Sequence, residues 1–139
     1  MPGIGQKRGS DMAYESPTVT IGTLTAAADL SAKQYHFVVL ASATTVNVAT
    51  AITNAPIGIL QNNPESGQQA IVAISGVSKV VADGTLAAGN FIGTSADAQA
   101  DAISPGTDTP VYMMGQCLQA ASAGETTSMI LNVANGRAA

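Results

Sequence analysis

Side chains that could do chemistry are few in this sequence, and their spacing assembles no centre. His36 is the only histidine in 139 residues. It stands in QYHFVVL, where alternation puts Tyr35, Phe37 and Val39 on one face of a strand and His36, Val38 and Leu40 on the other. A general base at that position needs a nucleophile or a second acid within reach. The pattern supplies neither, so His36 reads as a structural or interface histidine. Cys117 is also alone, which leaves no internal disulfide framework and no cysteine metal cluster. Within YMMGQCLQ it reads as a small buried hydrophobe, and a lone thiol fits synthesis in a reducing cytoplasm.

Asp97, Asp101 and Asp108 fall close together in a loop-like segment, where oxygen ligands for Ca²⁺ could gather. Their spacing does not match an EF-hand loop, and they read as solvated loop acids. The three lysines lie in GQKRG, SAKQY and VSKVV, and none completes G-x-x-x-x-G-K-[ST]. The G-x-G of MPGIGQKRG lacks both the strand before it and the helix after it. No catalytic, cofactor-binding or metal-binding residue is therefore assigned, and the expectation is a protein that is not an enzyme.

The elements that would have to position such residues are short strands. TVTIGTL (18–24), YHFVVLA (35–41), TTVNVAT (44–50), PIGILQ (56–61), QAIVAIS (69–75), VSKVVA (77–82), NFIGT (90–94), VYMMGQCLQ (111–119) and TTSMILNVA (126–134) are rich in β-branched and aromatic residues. Turn chemistry separates them, in NNPESG, ADGTLAAGN and SPGTDTP. Propensity allows one short helical turn, in LTAAADLSAK (24–33) or SADAQADAIS (95–104), and no long helix. The fold class expected is all-β, a small barrel or sandwich. One unit recurs. PIGILQNNPESGQQAIVAISG (56–76) and GQCLQAASAGETTSMIL (115–131) both hold two apolar runs apart with a polar turn, with Gly58 and Gly67 spaced like Gly115 and Gly124. Gln61 and Gln119 fall close to register between them.

Residues 1–17 differ from the rest. With three Gly, two Pro and four charges they read as an extended arm, ordered only by contacts outside its own domain, ahead of a single β domain over 18–139. A chain of this length supports one core and not two independent ones. Ala, Gly, Thr and Ser fill 64 of the 139 positions, Trp is absent, and only Tyr14, Tyr35, Phe37, Phe91 and Tyr112 are aromatic. Such a domain lacks bulky anchors, so oligomerisation or attachment to a partner surface is expected to supply missing burial.

Charged residues make up 10%, against about 25% for an ordinary soluble domain. A net charge of −4 with five basic residues speaks against nucleic acid, because phosphate neutralisation needs clustered Lys and Arg. No run approaches the ~20 apolar residues of a membrane span, and the opening MPGIGQKRGSDMAYESP shows no apolar signal-peptide region. The expectation is a protein that works away from membranes.

QYHFVVL, followed by APIGILQNNPESGQQAIVAISGVSKVVADGTLAAGNFIG, resembles a family of small tailed-phage proteins, the capsid cement or head-decoration proteins of the DUF2190 type. The residues that carry the resemblance include Pro56, Gly58, Leu60, Gln61, Asn62, Pro64, Gly67, Gly76, Val77, Lys79, Val80, Gly89 and Asn90, over about 35–94. GQCLQAASAGETTSMILN fits the family's last hairpin. The resemblance implies a structural protein on the outer surface of the expanded phage head, made in the host cytoplasm. It further implies the major capsid protein as partner and homotrimers at threefold and quasi-threefold positions. Multivalency on a shell lets each contact be modest and uncharged. The alternative is a virion-displayed β-domain for host or glycan attachment.

Overall fold

The computed structural model describes residues 13–132, and among them there are nine strands and no helix. They are β1 (Val19–Ala26), β2 (Phe37–Leu40), β3 (Thr45–Val48), β4 (Gly58–Leu60), β5 (Gln69–Val81), β6 (Phe91–Thr94), β7 (Ala100–Ile103), β8 (Gly115–Cys117) and β9 (Thr126–Asn132). The chain is all-β, as its residue pattern leads one to expect.

Four segments differ from the sequence reading, each for a local reason. QAIVAIS and VSKVVA form one long strand, β5, because Gly76 carries the chain through with a φ of 105° while the backbone of Pro17 and Thr18 passes against it. The 95–104 segment holds a turn and then β7. There Ser95 Oγ accepts the N–H groups of Asp97 (3.1 Å) and Gln99 (3.2 Å), a side-chain closure that competes with helix. In 24–33, β1 runs on to Ala26, and Asp29 closes a turn by accepting the Ser31 N–H. Only Gly115–Cys117 of 111–119 pairs as strand, since Val111 turns aside to pack with Ile103 in a small separate cluster.

The strands form one mixed sheet in the order β1-β3-β2-β4-β5-β9-β8-β6-β7, which curls twice. β1 pairs with β3 on one side and β5 on the other, so β1, β3, β2, β4 and the first half of β5 close a five-stranded ring. The second half of β5 joins β9, β8, β6 and β7, and the parallel bridge between Ala82 and Ala100 closes a second ring. The two rings share β5.

They are two copies of one design. The parallel pair Ala26–Val46 of the first ring returns as Ala82–Ala100, Val38–Gly58 as Ile92–Gly115, and Ile59–Ala73 as Gln116–Ile130. Turn chemistry repeats as well. The Glu65 N–H donates to Gln68 Oε1 and the Ser122 N–H to Glu125 Oε1, both at 2.8 Å, although one acceptor is an amide and the other a carboxylate. Leu30 N–H meets the Pro64 carbonyl as Leu86 N–H meets that of Ala121. The 56–76 and 115–131 hairpins seen in the sequence are thus the most legible part of a duplication that spans Val19–Asn132. Gln61 and Gln119, however, fall one residue out of register in it.

The interior is correspondingly divided. Leu24, Leu30, Val46 and Val72 fill the first ring, and their counterparts Val80, Leu86, Ala100 and Met129 fill the second. Length alone points to one core. Two clusters fit because β2, β4 and β5 form a common wall, buried on both faces, so neither ring has to cover that wall alone.

Candidate interaction surface

His36 is buried at the wall's edge, with its ring Nδ1 3.1 Å from the Gln34 carbonyl and its Nε2 3.3 Å from Gln99 Nε2. A carbonyl only accepts, so Nδ1 carries the proton, and Nε2 is left to accept from the Gln99 amide. Burial lowers its pKa below the ordinary 6.5, helped by nearby Lys33 and opposed by the backbone hydrogen bonds and Asp97. The fold therefore holds the neutral ring. In the window between the lowered pKa and 6.5 the unfolded chain binds the extra proton, so stability falls as pH falls through it and is fully present above 6.5. Melting followed from pH 7.5 down to pH 5 is expected to show this loss, and His36→Gln to flatten the His36 part of the slope. An equal slope in the variant would assign the loss to other groups.

The three acids do not converge. Asp97 lies in the turn beside His36, while Asp108 Oδ2 accepts the Ser104 N–H at 2.7 Å. Asp101 stands on β7, where burial first, and then Asp83 and Asp108, raise its pKa. Among the described residues no group of three or more His, Cys, Asp or Glu side chains is placed to hold a metal ion. Cys117 is a buried free thiol whose Sγ donates to the Gln119 carbonyl at 2.8 Å. The structure places each of these groups in the fabric of the fold.

Contact surface is better developed. Of the residues that composition assigns to the arm, Ala13–Pro17 lie against the domain. The Tyr14 N–H donates to Ser128 Oγ (2.6 Å), the Ser128 hydroxyl donates back to the Tyr14 carbonyl (2.7 Å), and the Ser16 N–H reaches the Val77 carbonyl. Residues 1–12, including Lys7-Arg8, lie outside the described residues, as do 133–139.

Duplication exposes an asymmetry that the sequence hides. On the outer face of the first ring, Phe37, Ile59 and Ala73 form a row across β2, β4 and β5, and all three are fully buried. The corresponding row on the second ring is Phe91, Gln116 and Ile130, across β6, β8 and β9. Phe91 is 38% exposed and Ile130 45%. The signal for this face was present in the repeat, but the sequence does not say which copy is covered.

No protein-family model and no curated protein sequence matches the chain, so the likeness to decoration proteins rests on the motif residues alone. Among solved structures, the fold is similar to the crystal structure of the N base of the head fiber protein gp8.5 of bacteriophage phi29. The TM-score is 0.63, the identity 14%, and the match covers 86% of this chain and 98% of that one. At this identity the likeness is one of fold.

Proposed function

We propose that this chain is a structural protein of a phage virion, a decoration or cement protein bound to the outer surface of the expanded head. The observation that carries the reading is the fold shared with a phage head fiber base over nearly the whole of both chains. The motif over 35–94 and a surface poor in charge support it. In this reading the major capsid protein is the partner and trimers occupy threefold and quasi-threefold positions. The work is mechanical and without catalysis: contacts that exist only in the expanded shell stabilise that state by linkage.

The test is to pellet decoration-free expanded capsids with the purified protein. Saturable binding at a fixed ratio to the major capsid subunit is expected, and no binding in any maturation state overturns the reading. Attachment through apolar and backbone groups should also persist in about 1 M salt, where exposed charges are screened beyond about 3 Å. Release of most of the protein between low and moderate salt would point to ionic attachment instead. A second reading, a virion-displayed domain for host or glycan attachment, draws on the structural neighbour being part of a fiber. Binding to host cells without binding to capsids would select it.

A further inference from the structure

The first ring's outer row is covered by the second ring. The Phe37 N–H donates to the Ala98 carbonyl at 2.7 Å, the Val81 N–H to that of Tyr35 at 3.1 Å, and Phe37, Ile59 and Ala73 share one apolar cluster with Ala98, Met114 and Leu131. Ala98, Met114 and Leu131 stand at one mouth of the second ring, at the β6–β7 turn and beside the Ile92–Gly115–Leu131 pairings. Within the chain, then, the mouth of one ring is seated on the outer face of another.

The apolar halves of that contact exist a second time, uncovered, whereas its hydrogen-bonded edge does not: the Thr25 N–H, counterpart of that of Val81, donates to the Thr44 carbonyl, counterpart of that of Ala98, at 3.0 Å, and Gln116 Nε2 donates to the Gly89 carbonyl, counterpart of that of Tyr35, at 3.1 Å. By the duplication, the first ring's counterpart of the seated mouth is formed around Thr44, Ile57 and Ile74, with Leu40 and Val19 at its rim. Leu40 is 52% exposed, Val19 57%, and Ile57 and Ile74 are only half-buried. The second ring's counterpart of the covered face is the Phe91–Gln116–Ile130 row. Four of the six exposed large apolar side chains in the described residues, Val19, Leu40, Phe91 and Ile130, fall on these two surfaces. A design that buries such residues once leaves the same complementary pair open at its two ends.

We propose that the Phe91–Ile130 face of one copy receives the Leu40–Ile57–Ile74 mouth of a second copy, repeating between chains the apolar part of the contact made between rings. Such a contact is heterologous, joining two different patches, and therefore generates a closed ring of subunits when the rotation closes and a linear series when it does not. It gives the self-association in the proposed function a specific pair of surfaces. It is tested on purified protein with no capsid present, so its failure leaves capsid attachment standing.

Sedimentation of the wild-type chain is expected to show oligomers. Ile130→Glu and Leu40→Glu each place a charge in the joint and should weaken association by at least about a hundredfold, leaving monomers with unchanged melting because both positions are exposed in the free chain. Phe91→Gln serves as a second probe of the face should Ile130→Glu disturb β9. The decisive sample is the equal mixture of Ile130→Glu and Leu40→Glu. One chain retains a sound mouth and the other a sound face, so the mixture should form a one-to-one dimer that neither forms alone. A wild-type chain monomeric at its highest soluble concentration overturns the proposal. So does a Leu40→Glu chain that associates like wild type, which would mean that the face pairs with itself or with another part of the molecule.

Discussion

Replacing Gly58 or Gly115 by alanine is expected to destabilise the fold by about 3 kcal/mol or more, the largest loss for any single added methyl. Both glycines sit where a short strand crosses its long partner at closest approach. A Cβ at Gly58 would overlap the Ala73 carbonyl oxygen, and one at Gly115 the Ile130 carbonyl oxygen. The obstacle in each case is backbone held in a sheet, so relief means parting β4 from β5 or β8 from β9. Gly115 adds a φ of 149°, which an alanine resists. The hairpin glycines Gly67 (φ 83°) and Gly124 (φ 84°) provide the internal comparison, since a Cβ there meets nothing. Alanine at those turns should cost only the left-handed backbone penalty of about 1–2 kcal/mol. Urea midpoints at constant m-value measure all four. Losses below about 1 kcal/mol at Gly58 and Gly115 would mean that the strands separate more freely than their registers imply.

Phe37→Ala and its counterpart Phe91→Ala should differ severalfold in stability although the two residues occupy the same place in the two rings. Phe37 is fully buried between the rings, and its truncation leaves a cavity in the common wall, expected to cost about 3–5 kcal/mol. Phe91 is partly exposed, so truncation should cost less than about 1 kcal/mol. Chemical denaturation gives both values. Equal losses would show that the second ring's face is as well covered in the free chain as the first ring's, and the asymmetry between the copies would then be false.

Alternation made most of the strands legible in the sequence, because a strand covered on at least one face shows its period locally. β7 was not legible. In SADAQADAIS the buried positions are taken by alanines, Ala98 in the turn and Ala100 on the inner face of β7, and burial of a methyl group leaves almost no contrast against Ser and Asp. The continuity of β5 was hidden for a different reason. Glycine between two apolar runs reads as a break, and only the passing Pro17–Thr18 backbone turns Gly76 into a close-approach point. The repeat was visible where glycine spacing fixed it, at Gly58/Gly67 and Gly115/Gly124, and invisible where small hydrophobes substitute for large ones, as Ala100 does for Val46. Which of the two faces stays open was only faintly written in residue types: Phe37 and Phe91 are identical in kind, and the one polar change across the row is Gln116 where the covered face has Ile59.

The sharing of β5 also orders events during synthesis. The first ring lacks its last strand until residues up to about Ser75 have left the ribosome, and once closed it has everything it needs except a cover for Phe37 and Ile59. That cover begins at Ala98 and is complete only with Leu131, so a nascent chain passes through a stage with a finished ring and a bare apolar wall. On a crowded polysome the second ring of a neighbouring chain fits that wall as well as the chain's own, and exchange of C-terminal halves is the error to which this architecture is most open.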